Sequence, residues 1–417
     1  MASVLIIGSG AREFIFAKTF SQTVDDIFIA PGNDGMRAAG FETVNLTDIA
    51  DLIDFAKEKH IDLTLVGAEN LLMQGVVDKF EAEGLNIFGP TQAAAQLEGS
   101  KSFSKDILER YQIPTASATT VDSLTPAIDV LKAHPYPVVV KLDGLALGKG
   151  VSIYENQAEA LEAVRAIYEQ EPTATLVIEE FMEGPEFSIF SFVGKNQVLH
   201  TPTAQDHKRL LDQDKGPNTG GMGAYSPVRW LDDTIVQTAI DTLVQPVLDA
   251  MQAEGHPFQG ILYTGVMLTP AGPKVIEYNV RFGDPEAQVV LPQLKSDLFK
   301  TLQDLLAGVP TEMSWQTEDV YLGVTLAAPG YPIQPEHGTV VPTDLGTDIA
   351  LDYAGVKNIS GQLVSHGGRV ATAVLHRPTM ALAQKDLYQA LDAEKTHLVY
   401  RHDIGYQAVE AEQLEGE

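Results

Sequence analysis

The sequence predicts a multidomain α/β fold, and three observations carry that expectation. Short apolar runs alternate with helical patterns over roughly the first 90 residues, the pattern of a doubly wound parallel sheet. Two β-branched runs farther on are joined by a connection rich in glycine and lysine. The chain has 417 residues, too many for one hydrophobic core, so two to four domains are expected. They are an N-terminal doubly wound sheet, a middle region that includes a small α+β unit, and a small C-terminal α/β domain.

The elements follow in order. Val4 to Ile7 is an apolar run that ends in Gly8-Ser9-Gly10, and a helical pattern runs from Ala11 to Phe20. Ile27 to Ala30 reads as the next strand, closed by Pro31-Gly32-Asn33. A helix over Ile49 to Lys59 precedes a strand at Leu63 to Gly67. Leu71 to Glu83 is helical and Asn86 to Gly89 is strand-like. Residues 91–112 read as one helix, broken by Ile113-Pro114-Thr115. Pro137 to Leu142, Val151 to Tyr154 and Thr175 to Glu180 are strands, with a helix over Ala158 to Glu169, giving a small α+β unit over about residues 120–190. Strands resume at Glu186 to Val193, Ile261 to Leu268 and Val275 to Val280. A last segment begins near Tyr321, with strands at Leu322 to Ala328, Gly338 to Val341 and Arg369 to Val374 and a helix near Ala381 to Leu391. Expected domain bounds are 1–100, 101–325 and 326–417.

Composition narrows the function classes. The formal net charge of -29 argues against nucleic acid as a general partner, because a phosphate backbone needs a basic face. A phosphorylated small molecule needs only a local basic pocket. With no cysteine, the chain has no disulfide, thiolate metal site or cysteine nucleophile. The start, MASVLIIGSG, has no basic stretch and no apolar run of signal-peptide length, and no window approaches the ~18 apolar residues of a membrane helix. A cytoplasmic enzyme without a membrane partner is expected. The sequence does not fix the oligomeric state and slightly favours a monomer.

Four motifs carry chemistry. Gly8-Ser9-Gly10-Ala11-Arg12-Glu13 follows the first strand and invites a dinucleotide reading. Glu13 is too large for the third glycine position, and the second strand ends Phe28-Ile29-Ala30 without an acid for a ribose. A nicotinamide oxidoreductase is therefore disfavoured. Free backbone N–H groups at Gly10 and Ala11 could still take a phosphate, or the motif is only a tight turn into a helix. Lys141 to Gly150, KLDGLALGKG, resembles a Walker A loop but has the wrong glycine spacing and no hydroxyl for a metal. It reads as a glycine-rich hairpin able to fold over a triphosphate, or as a surface hairpin. On Val275 to Arg281, Glu277, Asn279 and Arg281 share one strand face, with Ile276, Tyr278 and Val280 on the other. Two adjacent oxygen ligands suit magnesium, which keeps waters and phosphate oxygens, and an arginine fork suits a carboxylate or phosphoryl group. The alternative is an amphipathic strand, disfavoured by a mid-strand Asn. Gly216 to Gly223 follows Asp206-His207-Lys208-Arg209, Asp212, Asp214 and Lys215, and reads as a long binding loop. His207 alone reads as structural.

Together these motifs, in this order, resemble the ATP-grasp superfamily. GPTQAAAQLEGSKSFSKD, AQDHKRLLDQDKGPNTGGMGAYSP and VIEYNVRFGDPEAQ, with GGRV and RHDIG near the C-terminus, are similar to the glycinamide ribonucleotide synthetase family over nearly the whole chain. The resemblance implies an ATP-grasp α+β core with a mobile lid. Lys101, Lys141 and Lys149 would contact ATP phosphates beneath Gly144, Gly148 and Gly150. Glu179, Glu180, Phe181 and Met182 would form the adenine hinge, and Glu186 would hold the ribose. Glu277 and Asn279 would bind magnesium (or manganese). Asp212, Asp214, Lys215, Asn218, Gly220, Gly221, Met222 and Arg281 would surround glycine and the transferring phosphoryl group, with Arg281, Lys149 and Asp214 as catalytic residues. Gly10, Arg12, Glu13 and Glu69 would line a phosphoribosylamine site. The implied reaction is ligation of glycine to phosphoribosylamine at the expense of ATP, through glycyl phosphate, in purine synthesis.

The chain departs from the family pattern at Ala11 and Phe14, where a Gly and a His are usual, at Ala68 for a Pro, and at Leu142 and Leu147 for alanines. Ile261 to Leu268 offers no carboxylate, so ligands for a second magnesium are undefined. Other readings are a sister ligase acting on a different acid or amine, and a nucleotide-binding regulator. Intact Lys141, Lys149, Glu277, Asn279 and Arg281 speak against the regulator.

Overall fold

The computed structural model describes residues 2–145 and 150–415. The N-terminal part is a five-stranded parallel sheet of β1 (Ser3–Gly8), β2 (Asp26–Pro31), β3 (Glu42–Thr43), β4 (Leu63–Val66) and β5 (Ile87–Phe88), in the order β3-β2-β1-β4-β5. β1 is buried on both faces, as its run of aliphatic residues requires in a covered parallel sheet. Helix α1 (Ala11–Phe20) crosses from its end.

Two helices expected to be continuous are broken. Residues 71–83 divide into Glu69–Met73 and Val76–Ala82, with Gly75 between them in the left-handed region at φ 74°. Residues 91–112 divide into Gln96–Gly99 and Lys101–Arg110. Ser100 is extended there, and its hydroxyl caps the second helix by accepting Phe103 N–H at 3.1 Å.

The second unit is an antiparallel sheet of β6 (Ala118–Val121), β7 (Val138–Leu142), β8 (Val151–Tyr154) and β9 (Leu176–Glu180), ordered β6-β9-β7-β8. Helices Leu124–Ala133 and Gln157–Gln170 pack on it around a hydrophobic cluster of its own that includes Leu131, Val140, Val164 and Ile178. The larger cluster runs through the rest of the molecule.

A third sheet joins β10 (Glu186–Val193) and β11 (Val198–His200) to two later strands. Between them in sequence lie β12 (Gln205–Asp206), β13 (Arg209–Leu211), β14 (Lys215–Asn218) and β15 (Gly223–Ser226). The later strands are β16 (Gly260–Thr269) and β17 (Gly272–Asn279), giving the order β11-β10-β16-β17.

The last segment contributes β18 (Val320–Ala327), β19 (Ala350–Tyr353), β20 (Val356–Ile359), β21 (Gln362–Ser365) and β22 (Arg369–Arg377), with helices Met380–Glu394 and Tyr406–Glu415. The boundary expected at 325/326 falls inside β18. Its sheet is β12-β15-β18-β22-β19, so two strands from the middle of the chain complete it. The strand expected at Gly338–Val341 is reduced to a single bridge, Val340 to Val364. No described helix is long and apolar enough to cross a membrane.

Candidate active site

The glycine-rich lysine hairpin is tied down at its base. Lys141 is buried on β7, with Nζ 2.9 Å from Glu179 Oε2 and 3.2 Å from the Ile276 carbonyl. Glu179 sits diagonally across on β9, opposite Val139, and Lys105 approaches its other oxygen at 3.2 Å. This carboxylate, expected at the adenine hinge, is thus matched by two lysines. Asp143 accepts the backbone N–H groups of Lys101 (2.6 Å) and Gly144 (2.9 Å) and the Ser102 hydroxyl. Burial pushes the Asp143 carboxyl up, and those bonds outweigh it and hold it below the ordinary value. Lys101 Nζ donates to the Gly144 carbonyl at 2.8 Å. Gly148 and Lys149 lie outside the described residues, while Gly150 closes the hairpin by accepting Leu142 N–H at 2.8 Å.

Glu180 accepts Ser117 N–H and pairs with Lys274, each at 3.1 Å, which leaves Phe181 exposed and Met182 half-buried at the hinge. Glu186 opens β10, with Lys208 Nζ 4.0 Å away. Lys208, which the sequence reading left inside a charged run, belongs to this site. Burial opposes its charge, and Asp206, Glu186 and Glu277 outweigh that opposition.

β17 carries Glu277 and Asn279 with a change of register. Gly265 pairs with Glu277 and Val266 with Val275, so Ile276 is an extra, bulged residue. It does not take the core-facing place expected from simple alternation; its carbonyl turns to Lys141 instead. Burial would raise the Glu277 carboxyl, but Lys208, Lys141, the Asn279 amide and Arg281 lower it. An ionised carboxylate beside an amide oxygen is a ligand pair for a hard cation.

Arg281, expected to face the transferring group, is tied into an alternating chain of charges. Its Nη2 lies 2.8 Å from Glu98 Oε1, and its Nε 3.8 Å from Glu69 Oε2. Arg12 continues the chain with bonds to Glu69 (3.3 Å), Glu13 (2.9 Å) and the carbonyls of Gly67 and Phe282. Glu98 also accepts Val280 N–H at 2.8 Å, fixing the end of β17. The sequence reading missed it because one acid on a short polar helix looks like solvated surface.

The expected phosphate cradle at α1 needs correction. Gly10 N–H is already given to Glu13 Oε2 at 2.6 Å, and Arg12 N–H to the Asp284 carboxylate. Two protein carboxylates thus occupy the helix N-terminus. Phe14, one of the departures, is buried in the core. It stacks on Tyr353 at 5.9 Å, meets Phe41 edge-on, and carries the Lys18 ammonium 4.4 Å from its ring.

The loop expected over 207–223 is partly a hairpin of β13 and β14. Asp212 accepts His402 N–H at 2.9 Å. Asp214, expected to be catalytic, has both oxygens engaged, by Arg401 at 2.6 Å and by the Tyr406 hydroxyl at 3.0 Å. Lys215 is exposed and bonds Gln213, while Asn218 pairs across to Arg209. Gly220 donates to Tyr331 Oη at 2.9 Å and its carbonyl accepts Arg369 at 2.6 Å. Met222, expected to line the substrate, has its side chain fully buried in the core.

A lysine hairpin over one antiparallel sheet, facing a Glu-x-Asn strand on another, defines the class as an ATP-grasp enzyme. Comparison with known families agrees. Models described as phosphoribosylglycinamide synthetase match residues 2–98 (N domain), 99–287 (ATP-grasp (A) domain) and 321–407 (C domain). A phosphoribosylamine--glycine ligase of Streptococcus pyogenes serotype M18 (strain MGAS8232) is 45% identical over 97% of this chain and 99% of that relative. The enzyme of that name from Lactococcus lactis subsp. lactis (strain IL1403) is 46% identical over 97% of this chain and 100% of its own length. The crystal structure of a phosphoribosylamine--glycine ligase from Thermotoga maritima superposes with a TM-score of 0.83 at 31% identity, covering 97% and 100% of the two chains. The biotin carboxylase domain of a Hydrogenobacter thermophilus 2-oxoglutarate carboxylase, solved with MgADP, shares the fold at 19% identity and TM-score 0.70, covering 95% of this chain and 90% of its own. The chain belongs to the phosphoribosylglycinamide synthetase family and is an ADP-forming ligase.

Proposed function

We propose that the chain ligates glycine to 5-phosphoribosylamine, cleaving ATP to ADP and phosphate and giving glycinamide ribonucleotide for purine synthesis. The observation that carries this reading is the Glu277 and Asn279 pair on β17, whose bulge at Ile276 turns a backbone carbonyl to Lys141 Nζ, 3.2 Å away at the base of the glycine-rich hairpin. The substrates follow from the full-length relatives, which carry that activity in their names.

The adenine lies along Glu179 to Met182 and the ribose by Glu186. The phosphates lie beside Gly144 and Gly150, with Lys101 and Lys141 as their cationic contacts; the sequence adds Gly148 and Lys149 to that set. Glu277 and Asn279 fit magnesium, which uses few protein ligands, and among the described residues no group of three or more His, Cys, Asp or Glu could hold a metal by itself. Bound there, the ion would neutralise phosphate charge and hold the γ-phosphoryl group in line. A carboxylate oxygen of glycine attacks that phosphorus, ADP leaves, and glycyl phosphate forms. The amine of phosphoribosylamine then attacks the acyl carbon, loses a proton, and expels phosphate. Lys141 and Lys208 stabilise charge on the transferred group, and no protein nucleophile is required. The lid unit excludes water from the acyl phosphate by closing. We place the enzyme in the cytoplasm.

ADP release in the wild type should require both glycine and phosphoribosylamine. Release with another acid in place of glycine would favour a sister ligase, and no turnover at all would favour a regulator. Asn279→Ala should keep the circular dichroism spectrum and melting temperature and lose about 100- to 1000-fold in turnover. Normal turnover in that variant would remove Asn279 from the metal site.

A further inference from the structure

The hairpin of β13 and β14 has no larger sheet to lean on, since these two strands pair only with each other. Its turn holds Gln213 and Asp214 in the left-handed region at φ 58° and 51°, where residues other than glycine need outside support. That support comes from one short segment 187 residues away in sequence. Arg401 is completely buried, the bulkiest side chain of the described residues to be so. Its Nε and Nη2 donate to the two oxygens of Asp403 at 2.8 and 2.9 Å. Its Nη1 donates to Asp214 Oδ1 at 2.6 Å and to the Arg209 carbonyl at 3.2 Å. Asp403 also accepts Gln213 N–H at 2.6 Å, His402 N–H reaches Asp212, and the Tyr406 hydroxyl reaches Asp214. All three turn residues, Asp212 to Asp214, are bonded to Arg401–Tyr406.

We propose that Arg401 is a positioning residue for the amino-acid substrate, acting through Asp214 to fix the turn that borders the site. The proposal rests on reading this hairpin as the glycine side of the cleft. Arg401 has no exposed surface and cannot touch a ligand. Asp214 is partly exposed, and the hairpin it closes starts at Arg209, directly after Lys208, whose Nζ lies 4.0 Å from Glu186. A buried guanidinium is costly unless its donors are satisfied, and here those donors are used to hold one turn. The size of the substrate explains the need. Glycine has few atoms with which to order a loop, so the loop must be ordered before it arrives.

The test is steady-state kinetics of the full-length enzyme, following ADP release with each substrate varied in turn. Arg401→Gln should raise the KM for glycine about 10- to 100-fold and leave the KM for ATP within about threefold. Asp214→Asn should raise the glycine KM too, and the double variant should be no worse than the poorer single, because the two residues act as a unit. An unchanged glycine KM, equal rises for glycine and ATP, or penalties that multiply in the double variant would overturn the proposal. Should Arg401→Gln fail to fold, Tyr406→Phe removes only the hydroxyl on Asp214. It should raise the glycine KM about two- to fivefold at constant ATP KM, and no rise there would equally overturn it. Wild-type ADP release that ignores glycine would instead defeat the functional reading, which separates the two failures.

Discussion

The two glycine-rich loops, 143–150 and 207–223, are held by different means. The first is tied locally. Asp143 gathers the N–H groups at the start of the Lys101–Arg110 helix, and a Cβ on Gly144, at φ +93°, would meet nothing within 4 Å among the described residues. The second is tied from the far end of the chain, by Tyr331, Arg369, Arg401, Asp403 and Tyr406. There, a Cβ on Gly221 would meet Pro285 Cδ at 2.5 Å, and one on Gly220 would meet the Arg369 guanidinium. Glycine therefore serves two purposes: a backbone conformation in the first loop, and close approach in the second. The carboxylates beside them differ as well. Hydrogen bonds hold the Asp143 carboxyl below its ordinary value, whereas burial and then the charge of Asp206 push the Glu286 carboxyl, next to Pro285, up.

The largest expected effect breaks the first side of this contrast. Lys141→Met removes the buried charge at the base of the nucleotide loop, while Lys105 still neutralises Glu179. Turnover should fall about 100- to 1000-fold with little change in melting temperature. A loss of fold in step with activity would make Lys141 a structural ion pair first and a phosphate contact second.

A pair of alanine substitutions sharpens the contrast itself. Gly144→Ala should cost about 1 kcal/mol or slightly more, from the left-handed backbone alone. Gly221→Ala adds a collision to the same kind of strain at φ +114° and should cost at least about 2 kcal/mol more. It should also raise the glycine KM, whereas Gly144→Ala should act on ATP. Chemical denaturation and substrate-by-substrate kinetics separate the two, and equal costs would contradict the division of purpose.

The same contrast governs what could be read from sequence. The nucleotide side was legible because local pattern determines it. Alternating strands and helices built β1, β2 and β4, and a lysine hairpin and a Glu-x-Asn strand announced their own chemistry. The acceptor side depends on distant partners. Arg209-Leu210-Leu211 and Lys215-Gly216-Pro217-Asn218 lack strand alternation, and the hairpin they form has its turn bonded to the distant Arg401 and Asp403. Arg401 itself stood in view in RHDIG, but one sequence does not say which acid it meets. The bulge at Ile276 left no mark that alternation could detect, and Gly75 looked tolerable in a helix until its φ was seen. Ala11 and Phe14 stand where the family pattern has a Gly and a His. Both are buried, and Phe14 packs against Tyr353.

The last expected effect concerns the two carboxylates and is read from its pH dependence. Burial first, then the charge of Asp206, pushes the Glu286 carboxyl from its ordinary 4.5 up to about 8. The folded protein therefore binds this proton more tightly than the unfolded chain does. The resulting stability is fully present below about 4.5 and is lost as pH rises through about 8. Glu286→Gln mimics the protonated form, so the variant should gain on the wild type in melting temperature between pH 5 and pH 8.5. Asp143→Asn should show the opposite sign. The Asp143 carboxyl is lowered below its ordinary 3.8, so its contribution is present at neutral pH and disappears only as acid protonates it. A melting-temperature difference for Glu286→Gln that stays flat across that range would mean Glu286 is ionised in the fold. The second loop would then rest on charge at its root, as the first one does.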